Sequence, residues 1–381
     1  MATRKQSPTF KAEVKDLVQG TLPIGDNSSI GTDLVAWNKF KKLLDEGVAG
    51  GELFNNNGVN GIVSTYSLVY TVANMHSGGV LAPNGDIHFV PYSAVRGQKI
   101  SADGVVSTYS LVYTTNAAYY GGVLAANGDI HFVPANGNRG QKVSASGVVS
   151  TYSLVYTATV SPHIGGVLAP NGDIHFVQWN APVGQKVSAA GVVSTYSLVY
   201  TSANGYVGGV LAPNGDIHFV PYNANRGQKI SADGVVSTYS LIYTGTNAYF
   251  GGVLAPNGDI HFIAGASPVG QKISTTGVIS TYSLVYTSTS VAYGGGVLAP
   301  NGDIHFIPRA ATIGQKISAA GVVSTYTLVN TVASSYLSGI LAPNGDIHFS
   351  PFAGSMGQKI STNVGTKFSQ GICQSPFFNK F

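Results

Sequence analysis

Cysteine is nearly missing: Cys373 stands alone in 381 residues, so no internal disulfide can form and stability has to come from packing and hydrogen bonding. Charge is also scarce. Only 9% of the residues are charged, well below the roughly 25% of an ordinary soluble protein, which leaves a surface of uncharged polar and aromatic groups. The formal net charge of +4 builds no basic stripe, because seven Lys and seven Asp fall inside a repeated unit and cancel, as do the charges of residues 1–59. Arg96, Arg139, Arg226 and Arg309 are scattered and do not form the continuous phosphate-tracking surface of a duplex binder, so nucleic acid is not an expected partner. No apolar run reaches the roughly 20 residues of a membrane span. The opening MATRKQSPTF has no apolar stretch after its basic residues, so synthesis in a host cytoplasm without a signal peptide is expected, and no membrane association.

What the chain has in abundance is self-similarity. The hexapeptide NGDIHF recurs with its Asn at 84, 127, 171, 214, 257, 301 and 344, a period of 43 or 44 residues. Each unit also carries GQK followed by Ile or Val, and a segment resembling GVVSTYSLVYT. The apolar runs are short, rich in Val, Ile, Tyr, Phe and Thr, and bounded by Gly, Asn or Pro, which predicts strands. In the first full unit these are 78–83, 86–90, 97–101 and 105–114, with a two-residue Asn84-Gly85 hairpin between the first two. Four antiparallel strands per unit of this length predict propeller blades. The array opens with a lone fourth-strand motif at 62–71 and ends on a third strand at 357–361. The first strand is therefore expected to complete the last blade and close a seven-bladed ring; a β-solenoid is the alternative.

LAPNG followed by Asp-Ile-His-Phe resembles the kelch-like, LAPNG-type repeats of seven-bladed propellers in bacteriophage and viral virion proteins, over residues 60–363. The resemblance implies an all-β propeller of four-stranded blades. It also implies a virion setting.

Comparison of the seven copies separates constant from changing parts. The PNG hairpin and the SADG-type turn barely vary, whereas the connections after the second and fourth strands differ in every copy. In an up-and-down sheet those two connections lie at one end, so the variable loops are expected to crowd one face. That face would hold Tyr92, Tyr119, Tyr120, Trp179, Tyr206, Tyr222, Tyr249, Phe250, Tyr293, Tyr336 and Phe352 with Arg96, Arg139, Arg226 and Arg309, a composition like that of recognition loops. Drift of surface loops explains the same variation without function.

Asp-x-His recurs in every unit: Asp86 with His88, Asp129 with His131, Asp173 with His175, Asp216 with His218, Asp259 with His261, Asp303 with His305, and Asp346 with His348. The pattern is expected to form a structural network once per blade, the carboxylate orienting an imidazole that bonds a Ser or Thr of the STYS strand. No catalytic motif, metal-ligand spacing or cofactor fingerprint stands out, so no catalytic residue, metal or cofactor is expected. The symmetry-breaking groups His76, His163, Trp179 and the loop Arg do not pair into a nucleophile and base.

Residues 1–59 predict a helical docking segment whose Leu34, Trp37, Phe40 and Leu44 form an apolar stripe, and 364–381 a tail. The whole reads as a non-enzymatic bacteriophage virion module. It would be attached to other virion proteins through residues 1–59 in several copies and would display its loop face to a host glycan or receptor. A free-standing lectin-like propeller is the alternative, and a glycoside-active enzyme a more distant one.

Overall fold

The computed structural model describes residues 62–158 and 160–362. They form seven four-stranded antiparallel sheets, and the expected propeller is the observed fold. The first blade runs His76–Leu81, Ile87–Pro91, Arg96–Ile100 and Val106–Ser110 from the axis outward. Blades two to six repeat it. In the seventh, Tyr336–Leu341, Asp346–Pro351 and Met356–Ser361 are completed by Ile62–Ser67, paired Ile62 to Ser361 and Ser67 to Met356. The innermost strand of the first blade packs on that of the seventh, so the ring is closed. The expected helical segment 1–59, with Leu34, Trp37, Phe40 and Leu44, and the tail 364–381 lie outside the described residues.

The core lies between blades. Phe89 and its six equivalents are fully buried, flanked by Ile87, Ile100 and their counterparts. The third and outer strands are matched by shape: a Cβ on Gly97 would sit 2.2 Å from the ring of Tyr109, its cross-strand partner, and all seven blades repeat this clash. Gly in GQK and Tyr in STYS therefore require one another, since only a bare backbone lets the aromatic ring lie flat across it.

The outer strand stops at Ser110, four residues short of the expected end. The residues beyond it leave their own sheet and cross to the next blade, where Val112 and Tyr113 donate their backbone N–H groups to Gln141 Oε1 at 3.0 and 2.8 Å. Gln141 is fully buried, as are its six equivalents, and each accepts from the crossing connection of the preceding blade.

Replacing Gln141 by Ala removes this acceptor from the N–H groups of the exposed Val112 and the half-buried Tyr113 and empties a fully buried side-chain site. A loss of about 2 kcal/mol in unfolding free energy is expected, measured by urea denaturation, while Gln141→Glu is expected to lose more because it buries a charge.

Candidate functional site

Loop hydrogen bonds show how one face is assembled. Tyr92 N donates to Met75 O, Ala118 N to Tyr92 O and Met75 N to Phe352 O, so the connections after second and fourth strands interlock at one end of neighbouring blades. The constant turns interlock at the other end, where Ala102 N donates to Asp86 Oδ1. Within each innermost strand a bulge breaks the register, between His76 and Gly79 in the first blade, and it turns the residue before the Gly pair toward the axis. At Gly121 the bulge demands glycine twice over: φ is +84°, and a Cβ would lie 3.0 Å from the Cα of Gly165 in the next blade.

The result is an apolar well on the axis beneath an aromatic patch. Tyr120, Ile164, Val207, Phe250 and Leu337 line the well. Above it Tyr92 meets Tyr120 and Phe352 at 5.7 Å between ring centroids, Tyr222 meets Phe250 at 5.6 Å, and Trp179 meets Tyr222 at 4.9 Å. One cation belongs to this patch: Arg309 holds its guanidinium carbon 5.1 Å above the Phe250 ring. Burial raises the Tyr92 and Tyr222 phenol pKa values and the Arg309 charge opposes the rise, so both hydroxyls stay protonated within its field.

Of the residues expected on the loop face, the structure brings Tyr92, Tyr120, Trp179, Tyr222, Phe250 and Arg309 together with Phe352. It does not bring the rest. Tyr119, Tyr206, Tyr249, Tyr293 and Tyr336 are fully buried inside the blades. Four of their hydroxyls donate to backbone carbonyls, as Tyr206 Oη does to Arg226 O at 2.8 Å, and Tyr249 Oη accepts from Ser267. Adjacent positions on the strand point opposite ways, so Tyr119 enters the blade while Tyr120 reaches the axis. Arg96, Arg139 and Arg226 are exposed at the start of third strands. His76 and His163 occupy the same position as Tyr119, packed 5.3 and 5.7 Å from Phe89 and Phe176, and burial pushes both pKa values down to about 3. Ile164, Val207 and Leu337 were not anticipated; the signal was there, in the one innermost-strand position that changes in every copy.

The Asp-x-His motif forms a network, but with other partners than expected. Each Asp pairs with the Lys of GQK, as Asp86 does with Lys99 at 2.6 Å, and the residue between Asp and His sets both on one face without bonding them. Burial would raise the Asp86 pKa, yet the hydrogen bond and charge of Lys99 outweigh it and hold the carboxyl below its ordinary range. His88 Nδ1 meets the hydroxyl of Tyr109 at 3.3 Å, not a Ser or Thr, because the Tyr ring laid across Gly97 reaches the imidazole first. The same His–Tyr bond recurs at His131, His175, His218 and His261. Among the described residues no group of His, Cys, Asp and Glu is arranged to hold a metal ion.

A model of the virginiamycin B lyase family matches residues 57–316. Among solved structures, a streptogramin B lyase superposes with a TM-score of 0.70 at 21% identity, covering 80% of this chain and 98% of that one. A catalytically inactive His-to-Ala variant of virginiamycin B lyase from Staphylococcus aureus, solved with quinupristin, superposes at 0.68 with 15% identity over 79% of this chain and 99% of that one. The extracellular domain of a putative one component system from B. thetaiotaomicron gives 0.58 at 12% identity, covering 80% of this chain and 40% of that one. At these identities the structures share the fold. No curated protein sequence matches significantly. The family match corrects two expectations: it places the chain in a family other than phage virion modules or kelch-like virion propellers, and it overturns the non-enzymatic assignment.

The network histidines set the response to acid. Burial holds His88, His131, His175, His218, His261, His305 and His348 near pKa 4 in the folded state, against about 6.5 in the unfolded chain. The unfolded state therefore binds more protons between these values, so the contribution is full above about pH 6.5 and is lost as pH falls toward 4. The carboxylates of Asp86, Asp129, Asp173, Asp216, Asp259 and Asp303, held below the ordinary range by their Lys partners, contribute until still lower pH. Urea midpoints are expected to change little from pH 8 to 6.5 and to fall steeply from 6.5 to 4.5.

Proposed function

The chain belongs to the virginiamycin B lyase family, and on that premise we propose that it is a lyase-type enzyme whose substrate lies on the loop face above the axial well. The observation that carries this is the aromatic patch with its cation, Arg309 over Phe250, set where loops from several blades converge. An aromatic surface of Tyr92, Tyr222, Trp179 and Phe352, its rings packed tilted and edge-on, suits a bulky substrate with apolar and aromatic parts. Streptogramin-type compounds such as quinupristin are accordingly the first to test.

A lyase breaks a bond by elimination, without water or an oxidant: a proton leaves the carbon next to the breaking C–O bond, its electron pair forms a C=C bond, and negative charge builds on the departing oxygen, which takes up a proton in turn. A guanidinium already fixed beside that oxygen stabilises the charge at little reorganisation cost, and more strongly in a partly dry site than in water. Arg309 is the residue to which this reading gives that task. Tyr92 and Tyr222, kept protonated by burial, are the hydroxyls able to donate a proton to a departing oxygen.

Incubation with quinupristin and virginiamycin B, followed by chromatography and tandem mass spectrometry, is expected to give a ring-opened product that is resolved from the substrate and has its unchanged mass, with no water added. Arg309→Ala is expected to lower kcat/KM about 100-fold without changing the melting temperature. A product containing an added water, failure to convert either compound, or an Arg309→Ala variant of full activity would overturn the proposal.

A further inference from the structure

One position breaks the repeat more thoroughly than any loop. The residue before the Gly pair of the innermost strand is Ser77, Tyr120, Ile164, Val207, Phe250, Gly294 and Leu337 in blades one to seven, so no two blades agree. Its neighbours hardly change: Tyr or His precedes it, and Gly follows in six blades with Ser338 in the seventh. All seven residues line the same axial well.

Packing alone explains part of this, because seven identical large side chains cannot all reach one axis. Complete packing would leave no cavity, however, and here about 50 Å³ stays empty beneath the aromatic patch. The lining is almost wholly apolar. Ser77 turns its hydroxyl away to donate to Tyr119 O at 2.8 Å, and Ser338 Oγ, buried without a partner, is the polar atom that remains at the wall. The volume is about a third of the roughly 150 Å³ that accommodates benzene, so a short branched aliphatic group fits and an aromatic ring does not. Arg309, over the ring of the lining residue Phe250, offers a donor to a carbonyl attached to that group.

We infer that the axial well is a specificity subsite that takes an uncharged, branched aliphatic side chain of a peptide-like substrate, with the adjoining carbonyl on Arg309. This rests on the loop face being the substrate face. The non-identical ring then gives the seven-fold scaffold a single orientation in which to hold such a group, since Tyr120, Ile164 and Val207 line one side and Gly294 and Ser77 another.

Titration of methyl-labelled full-length protein with N-acetyl-leucine N′-methylamide is expected to shift the methyl signals of Ile164, Val207 and Leu337 and to leave the exposed Val112 unmoved. The lysine counterpart is expected to shift none. Val207→Phe fills the well and is expected to weaken the leucine probe at least about 10-fold, whereas Leu337→Ala enlarges it and is expected to admit the phenylalanine counterpart. Methyl signals that never move, or leucine binding that survives Val207→Phe, would mean that the side chains form a closed plug and would overturn the inference. Quinupristin turnover with unchanged KM in Val207→Phe would overturn it as well while leaving the lyase assignment standing. Leucine binding without any turnover would strike the lyase assignment alone.

Discussion

A buried amide oxygen holds this ring together. Each blade presents one Gln side chain to the connection arriving from the blade before it, and that connection has left its own sheet with backbone donors that no strand can satisfy. In a dry interface an unmet N–H costs as much as a lost hydrogen bond. The Gln oxygen therefore decides where the chain may cross, and the crossing decides how blades stack. Gly and Tyr, locked by the ring lying across bare backbone, and the Asp–Lys pair under the constant turns fix the remainder of the unit around it.

Much of this was legible in the chain itself. Period, strand number and the complementary ends at 62–71 and 357–361 predict a closed propeller, because strand pairing obeys alternation and turn chemistry that single residues betray. The parts that were not legible share a cause. Tyr119 and Tyr120 are adjacent aromatics of equal polarity, and only the bulge geometry tells which enters the blade and which reaches the axis. Asp86 and His88 share a strand face, yet their partners come from the third and outer strands, whose register sets Lys99 and Tyr109 beside them. Local pattern gives direction along a strand; it does not give the neighbour across it.

The candidate site follows from a contrast between copying and divergence. Body residues repeat because each blade must fit two identical neighbours, so a change in one would have to be matched in the next. Side chains at the axis and on the interlocked loops meet residues from several blades at once and are free of that constraint. Chemistry such as the Arg309–Phe250 pair is thereby confined to the loop face, the part of the molecule that symmetry does not govern.

The strand that completes the seventh blade is the first of the described strands to leave the ribosome. Ile62–Ser67 must wait for Met356–Ser361, about 300 residues later, which at roughly 5–20 residues per second is on the order of 15 to 60 seconds of translation. Throughout that interval its pairing edge is unclaimed. The nascent chain also carries six sheets able to offer a matching edge, since their third strands are near-copies of the true partner. Faithful closure is thus a question of timing: each internal outer strand emerges directly behind its own third strand and occupies it before the early strand can intrude.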